Sequence, residues 1–589
     1  MIECLNLYKI DDTSKNFLMS VIKQWKTNIN IRLPEETITT EDIFFKRGIF
    51  QGDSLSPLIF CLALTPITNL LKRNNVGYSM GKEKRNISNL LYIDDLKVYA
   101  RNKEEMERCR ALIEMFSKDI KMEFGLNKCA VIHIEKGKIT DSPCAKDIPL
   151  LSADKSYKYL GILQADTIRH KEVKEKTKKE YFKRVREILK AEINARNTAN
   201  TITAYAMPIL RYGFGILKWT QGELRAIDTK TRKTLTKYGF HHPKSNVHRL
   251  YLSRKWGGRG MTSSMDCYIQ ECTALAAYMK NEVDNGKDSL VKIVAEVEKK
   301  KTYGIMSYSV GLNNRNAVET REYHNKELLK MNLHGNYFKR QNEIPNVDMG
   351  QSYAWLHKFQ LRSETESLLC AAQEQALATK YVRSKIWKKG NDVKCRLCGE
   401  QIETVNHIVS GCKMLAANQY LHRHNQVGKY LHWCILKNIG VQVKDSWLQH
   451  VPEEVVQHND VTVMWDKNIL TEKKVGCNRP DITVHDSKAR ECTFVDVSIP
   501  VCDNVIKKEA EKITKYRDLE IEVQKCWNLR KVRTIPVVCG ALGTVSMGME
   551  NFIRNLAPNI SLHTVQKTAL LGTAHILRNF LTPIKDLST

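Results

Sequence analysis

Residues 91–100 read Leu-Tyr-Ile-Asp-Asp-Leu-Lys-Val-Tyr-Ala, and this decapeptide constrains the chain more than any other stretch. Apolar residues flank a Tyr-x-Asp-Asp core, the pattern of two short strands joined by a tight turn that carries Asp94 and Asp95. Such a hairpin holds adjacent carboxylates at a sheet edge, where divalent cations and a polyphosphate can gather. Two acids in a turn also occur with no function, so the neighbouring blocks decide.

Charge narrows the partners. The chain has 589 residues and a formal net charge of +28, which favours a polyanion, nucleic acid first. Its length predicts several domains. The 17 cysteines, an odd number without a secretory signal, point to reduced thiols and metal ligation in place of a disulfide framework. The best apolar run, residues 58–64, is too short to span a bilayer and adjoins Pro57 and Pro66, so a soluble intracellular protein without a membrane partner is expected.

Around the hairpin the blocks fall in order. Residues 1–25 are expected to be helical, from Leu5, Leu7, Ile10, Phe17, Val21 and Trp25. Residues 47–58, Arg-Gly-Ile-Phe-Gln-Gly-Asp-Ser-Leu-Ser-Pro-Leu, open an apolar helix expected to reach Leu71. Asn102 to Glu105 reads as a capping box ahead of a helix whose apolar face is Met106, Cys109, Leu112, Ile113 and Phe116. Gly125-Leu126-Asn127-Lys128-Cys129 and Tyr157-Lys158-Tyr159-Leu160-Gly161-Ile162 follow.

Taken together these blocks resemble a reverse transcriptase. The resemblance implies a polymerase palm in which Asp94 and Asp95 are Mg2+ ligands for nucleotidyl transfer. It sets Gln51, Gly52 and Lys128 beside nucleotide and template, with dNTPs and RNA as substrates. In that family one catalytic aspartate comes from an earlier strand, ahead of a helix like the one at residues 1–25. Asp11 and Asp12 stand in the wrong context, and the fingers are missing. The expectation is an incomplete polymerase site, or an internal start at Met1 within a longer, active product.

Residues 167–190 carry ten Lys/Arg against four Glu, with Val173, Tyr181, Val185 and Ile188 as a helical stripe. A basic helix there would track a phosphate backbone or simply be a solvated face. Residues 256–260, Trp-Gly-Gly-Arg-Gly, read as a turn. A Gly- and Asn-rich stretch at 304–316, after Lys299-Lys300-Lys301, is expected to connect domains. Residues 363–366, Ser-Glu-Thr-Glu, read as another capping box.

Cys395, Cys398, His407 and Cys412 are spaced C-x2-C-x8-H-x4-C, which suits tetrahedral Zn2+. The His-to-Cys step is not one clean helical turn, so a loop or frayed helix end is expected, permitted by Gly411. A closed ligand set implies a structural role, presenting Arg396 and Lys413 to nucleic acid. His422 and His424 are alternative ligands, helix caps or DNA contacts.

Residues 478–484, Asn-Arg-Pro-Asp-Ile-Thr-Val, and 492–498, Cys-Thr-Phe-Val-Asp-Val-Ser, read as a second hairpin. Folding it about its centre sets Asp481 opposite or diagonal to Asp496, with Cβ atoms about 5 Å or up to about 8 Å apart. Carboxylates that close can share Mg2+ and lower the pKa of a bound water. The next helix offers Lys508, Lys512 and Lys515 along one face, with Tyr516 beside them. One of these lysines could stabilise phosphorane charge or orient the attacking water. Pro-Asp, a later acid and a lysine resemble the restriction-like PD-(D/E)xK nucleases. The usual lysine position is Ser498, but one retrotransposon lineage draws its lysine from the following helix, as Lys512 or Lys515 would be.

The whole order resembles the polyproteins of type-2 retrotransposable elements, non-LTR elements that insert at preferred genomic sites. The implied fold is multidomain α+β and α/β. It has a right-hand palm with truncated fingers at 1–165, a helical thumb at 166–240 and a helical linker at 241–390. A zinc knuckle at 391–430, a restriction-like α/β endonuclease at 431–560 and a C-terminal helix at 561–589 follow. The implied activity is target-primed reverse transcription in the nucleus: the nuclease nicks genomic DNA and the freed 3′ hydroxyl primes copying of element RNA. Mg2+ at Asp94, Asp95, Asp481 and Asp496 and structural Zn2+ are the implied cofactors, and homodimerisation is left open. The rival is a non-catalytic nucleic-acid-binding remnant.

Overall fold

A computed structural model describes residues 2–46, 48–80, 85–123, 125–140, 147–152, 154–285, 289–298 and 317–581. Arg47, the 299–301 lysines and the 304–316 stretch lie outside them. The chain divides into two compact units, Met1–Lys176 with Ala276–Tyr308, and Thr177–Leu275 with Ser309–Thr589. No described helix is long and apolar enough to cross a membrane.

In the first unit the expected N-terminal helix is two, Ile2–Leu7 and Asp12–Lys23. Lys9 takes a positive φ, and the Asp11 carboxylate caps the second helix by accepting from the Ser14 amide at 2.9 Å. The apolar helix after Gln51 is likewise split into α1 (Ser56–Leu64) and α2 (Pro66–Arg73), since Pro66 has no N–H with which to continue the ladder. Strands β1 (Asn89–Tyr92) and β2 (Asp95–Val98) pair antiparallel. They rest on α2 and α3 (Lys103–Asp119) through Ile67, Leu71, Cys109 and Ile113, with Leu91, Leu96, Leu112 and Phe116 packed alongside. Asn102 caps α3 as expected, but Glu105 does not complete a box. Its buried carboxylate accepts from Gly77 N and from Arg101, and these bonds outweigh burial to hold it below the usual range.

A second hairpin, β3 (Tyr157–Tyr159) and β4 (Ile162–Gln164), turns through Leu160 and Gly161, both at positive φ, the geometry that suits strand twist in a two-residue loop. Then comes the basic helix α4 (His170–Lys190), whose stripe of Val173, Tyr181, Val185 and Ile188 is buried as expected.

The second unit is built on a five-stranded sheet in sequence order: β5 (Val455–His458), β6 (Val461–Trp465), β7 (Ile482–Asp486), β8 (Glu491–Ser498) and a last strand, Lys531–Val538. The first four run antiparallel, and β8 pairs in parallel with the last through the crossover helices Val505–Lys515 and Arg517–Cys526. Strand β8 is covered on both faces. Cys492 and Phe494 meet Tyr516, Leu519 and Val523, while Val495 and Val497 share a core with Val427, Leu431 and Val565. Burial on both faces explains its near-continuous apolar run.

The segments expected as linker, knuckle and C-terminal tail share a single core. Leu252, Leu328, Trp355, Leu369, Cys395, Cys412, Leu570 and Leu577 pack together. The C-terminal helix Leu562–Leu581 is therefore a core helix, with Val565, Ala569, Leu570 and Ala574 buried. The 256–260 turn forms as expected, and a Cβ at Gly258 would meet the Leu252 carbonyl at 2.0 Å. The box expected at Ser363 does not form. Arg362 takes the cap position and Glu366 turns inward to the guanidinium groups of Arg254 and Arg259.

Candidate functional site

The first candidate site is the tip of the β1–β2 hairpin. Tyr92 pairs with Asp95, and the two-residue turn of Ile93, at φ 55°, and Asp94 leaves both aspartates exposed. Behind them Lys97 donates to Gln164 Oε1 at 2.9 Å and lies over the Tyr159 ring. Burial lowers the Lys97 pKa, while burial and then the Asp95 charge raise that of Tyr159. Tyr157 donates its hydroxyl to the Lys128 carbonyl at 2.8 Å. Three of the four sequence blocks, the hairpin, the Leu126–Lys128 turn and β3–β4, are thus brought together. Gln51 and Gly52 lie in an exposed turn before α1, and among the described residues no hydrogen bond or ion pair joins them to Asp94 or Asp95. Nor, among those residues, does a third metal-ligating side chain cluster with the two aspartates.

The second site is the Cys/His cluster. The ligand atoms of Cys395, Cys398, His407 and Cys412 all lie within 4.8 Å of one another. Cys395 Sγ is 3.9 Å from Cys412 Sγ, and Cys398 Sγ is 3.5 Å from His407 Nε2. Tetrahedral Zn2+ with Zn–S of about 2.3 Å requires S···S edges of about 3.8 Å, so the donor set fits zinc. The amides of Gln401 and Glu400 hold the Cys398 thiol below its usual range, whereas burial pushes Cys412 up to about 11. His407 stands on the short helix Val405–Ser410, which ends at Gly411 before Cys412. The break is where the spacing put it, but Gly411 has an ordinary negative φ. Its lack of a side chain makes room, since a Cβ would lie 3.4 Å from His407 Nδ1.

Arg396 is held inside the fold, while Lys413 keeps an exposed side chain in its ion pair. Arg396 grips the fully buried Glu403 by Nε and Nη2 at 3.0 and 2.7 Å and covers the Phe580 ring, and Lys413 pairs with Glu400.

The third site is the end of the β7–β8 pair. The register Ile482↔Val495, carried one residue further, sets Asp481 directly opposite Asp496. Asp496, 1% exposed, is ion-paired through Oδ2 with Lys512, and its Oδ1 accepts from Lys515 at 3.2 Å and from Tyr516 at 2.7 Å. Burial raises the Tyr516 hydroxyl pKa, and the Asp496 charge adds to it. Lys508 pairs with Glu511 instead. Asp481 Oδ2 accepts from the Val497 amide at 2.6 Å and lies 3.0 Å from His424 Nε2. Burial acts to raise the Asp481 pKa, but His424, the Val497 amide and Lys512 together hold it below the usual range. For His424 burial pulls down, and the bond to Asp481 prevails and raises it. Among the described residues Asp481 Oδ1 is left open as a hard oxygen donor for a divalent cation, while both oxygens of the facing Asp496 are engaged by Lys512, Lys515 and Tyr516, which a cation shared by the two acids would have to displace in part. His424 is the residue that the spacing did not assign to this site. Its contact with Asp481 spans 57 residues, and no local pattern encodes it.

Residues 4–163 match the family model described as reverse transcriptase (RNA-dependent DNA polymerase). A reverse-transcriptase domain therefore includes the Asp94–Asp95 hairpin and both of its neighbouring blocks. Two curated relatives carry the description retrovirus-related Pol polyprotein from type-1 retrotransposable element R2. That of Popillia japonica is 26% identical over 273 residues, 44% of this chain and 43% of that protein. That of Nasonia vitripennis is 27% identical over 175 residues, 28% of this chain and 16% of that protein. Over these spans the chain is similar to the Pol polyproteins of R2 retrotransposable elements, which are described as type 1 where the order of blocks suggested type 2. The matches span less than half the length of either relative.

Proposed function

We propose that this chain is the reverse-transcriptase and endonuclease part of a non-LTR retrotransposon polyprotein that acts by target-primed reverse transcription. The observation that carries the reading is Asp481 facing Asp496, with Lys512 and Lys515 on the latter, in a chain that also carries a reverse-transcriptase domain. Mg2+ held between Asp481 and Asp496 would supply an activated water and Lewis-acid stabilisation of the scissile phosphate. Lys512 and Lys515 pair with Asp496 in its buried position and bring positive charge to where phosphorane charge develops. Tyr516 fixes the same carboxylate from the side.

At the other site Asp94 and Asp95 would hold Mg2+, which would supply the charge stabilisation for nucleotidyl transfer from dNTPs on an RNA template. The basic helix α4 and the net charge of +28 favour nucleic acid throughout. The knuckle is structural zinc. Chromosomal target DNA puts the work in the nucleus, and cutting the second strand is the step that would need a second copy. For polymerisation alone, a second reading has its own support: without a third carboxylate beside Asp94 and Asp95 among the described residues, this chain would bind a primed template without extending it.

The test is Mg2+-dependent nicking of supercoiled plasmid by the full chain beside Asp481→Ala and Asp496→Ala, with primer extension on RNA run in parallel. Nicking lost in both variants supports the endonuclease. An inert parent that still binds zinc and nucleic acid would leave the remnant as the description. Extension lost in Asp94→Asn would favour the complete enzyme over the binding reading.

A further inference from the structure

The backbone ladder between β7 and β8 stops at Pro480. Asp481 turns its carbonyl away from β8 and accepts from the Asp466 amide at 2.9 Å, so the main-chain groups of its neighbours Pro480 and Ile482 face β8. The register places Pro480 opposite Val497. Proline has no N–H, so the Val497 carbonyl lacks a ladder donor there. The Val497 amide, for its part, is taken by Asp481 Oδ2. His424 closes the gap: its Nε2 lies 3.2 Å from the Val497 carbonyl and 3.0 Å from Asp481 Oδ2.

We propose that His424 is a positioning residue of the cleavage site, clamping Asp481 Oδ2 onto β8 and thereby presenting Oδ1 to the divalent cation. Among the described residues no hydrogen bond is made to Oδ1, whereas Oδ2 is engaged twice. A carboxylate with one oxygen fixed and the other open is a ligand whose rotamer is set before the cation arrives, as outer-shell donors do for metal ligands.

His424 is itself well anchored. One turn earlier Tyr420 donates its hydroxyl to the Ile408 carbonyl at 2.7 Å and accepts from the Cys412 amide at 3.1 Å, and Arg423 reaches the Thr573 hydroxyl at 2.8 Å. The imidazole therefore hangs from a segment pinned to the Cys/His cluster on one side and to the C-terminal helix on the other.

The inference rests on the endonuclease reading, and its test separates the two. Mn2+ binding by the full chain is titrated by electron paramagnetic resonance for the parent, Asp481→Ala, His424→Ala and His424→Gln, whose amide keeps a donor near the Nε2 position. Mg2+ dependence of nicking is read on the same proteins, with zinc content and melting temperature as controls on folding. Expected are loss of the site in Asp481→Ala, about tenfold weaker Mn2+ binding with a matching rise in half-saturating Mg2+ in His424→Ala, and recovery in His424→Gln.

Unchanged or tighter Mn2+ binding in His424→Ala overturns the proposal, the tighter case meaning that the imidazole competes with the cation. Weakened binding in a protein whose parent never nicks keeps the proposal and removes the endonuclease reading. A parent that binds no Mn2+ removes both. If His424→Ala does not fold, His424→Leu, which keeps bulk without a donor, replaces it in the same comparison.

Discussion

Asp481 stands directly across the β7–β8 pair from Asp496, and the two carboxylates are held by different partners. Asp496 is sealed beneath Lys512, Lys515 and Tyr516, while Asp481 is fixed by a backbone amide and an imidazole and keeps an oxygen open. One acid is thus balanced by cations from the following helix, and the other is oriented for a ligand.

The contacts on Asp496 predict an order for the two lysines that the sequence left open. Lys512 is paired with Asp496 Oδ2, whereas Lys515 shares Oδ1 with the Tyr516 hydroxyl. Lys512→Ala should therefore lower single-turnover nicking by about 100-fold or more, in the range for a positioned catalytic group. Lys515→Ala should cost less, because Tyr516 still satisfies Oδ1. Single-turnover rates for the two variants at saturating Mg2+ check the order.

Much of this was legible in the chain because local rules govern it. The Tyr-x-Asp-Asp hairpin, the Asp481–Asp496 pairing and the Cys/His spacing each follow from turn chemistry, strand register or ligand geometry. What escaped depends on distant partners. Glu366 and Glu105 sit where a capping box would use them, yet buried arginine or glycine amide partners claim them. Arg396 reads as a free basic residue until Glu403 and Phe580 are in place around it. His424 reaches its site only once the sheet has formed and Pro480 has left Val497 unsatisfied.

Glu366 supplies a stability prediction. Its fully buried carboxylate lies between Arg254 and Arg259, and though burial works to raise its pKa, the two guanidinium charges hold it below 4.5. Removing it leaves two buried cations uncompensated, so Glu366→Ala should destabilise the second unit by about 3–5 kcal/mol at neutral pH. A depressed carboxylate stabilises above its unfolded pKa and loses that contribution as pH falls through the folded value. The gap in melting temperature between parent and Glu366→Gln should therefore be full near pH 7 and shrink below pH 4.5, as differential scanning calorimetry would show.

Zinc removal makes a prediction that reaches beyond the knuckle. Cys395 and Cys412 belong to the core that contains Trp355 and Leu570, and Tyr420 ties the His407–Cys412 loop to the helix bearing His424. Chelation, or Cys395→Ser, should release one zinc per chain and lower the melting temperature of the second unit as a whole, because the metal's binding energy is folding energy. Zinc release followed by a chromogenic chelator and set beside the melting curve checks that the two losses coincide.

Arg396 and the basic helix α4 should separate packing from nucleic-acid binding. Arg396 is held by a buried carboxylate and an aromatic ring, so Arg396→Ala should destabilise the fold while leaving the salt dependence of binding unchanged. Lys179, Arg186 and Lys190 are exposed on α4 and lie off its buried stripe of Tyr181, Val185 and Ile188. Replacing all three by alanine should leave the melting temperature nearly unchanged. Each phosphate that is no longer neutralised takes about 0.9 off the slope of log affinity against log salt on a duplex, so the slope should fall by about 2 to 3. Affinities measured across a salt series for the parent and both variants decide it. A slope unchanged in the α4 triple variant would make that helix a solvated face, and a slope changed in Arg396→Ala would mean that its grip on Glu403 opens for nucleic acid.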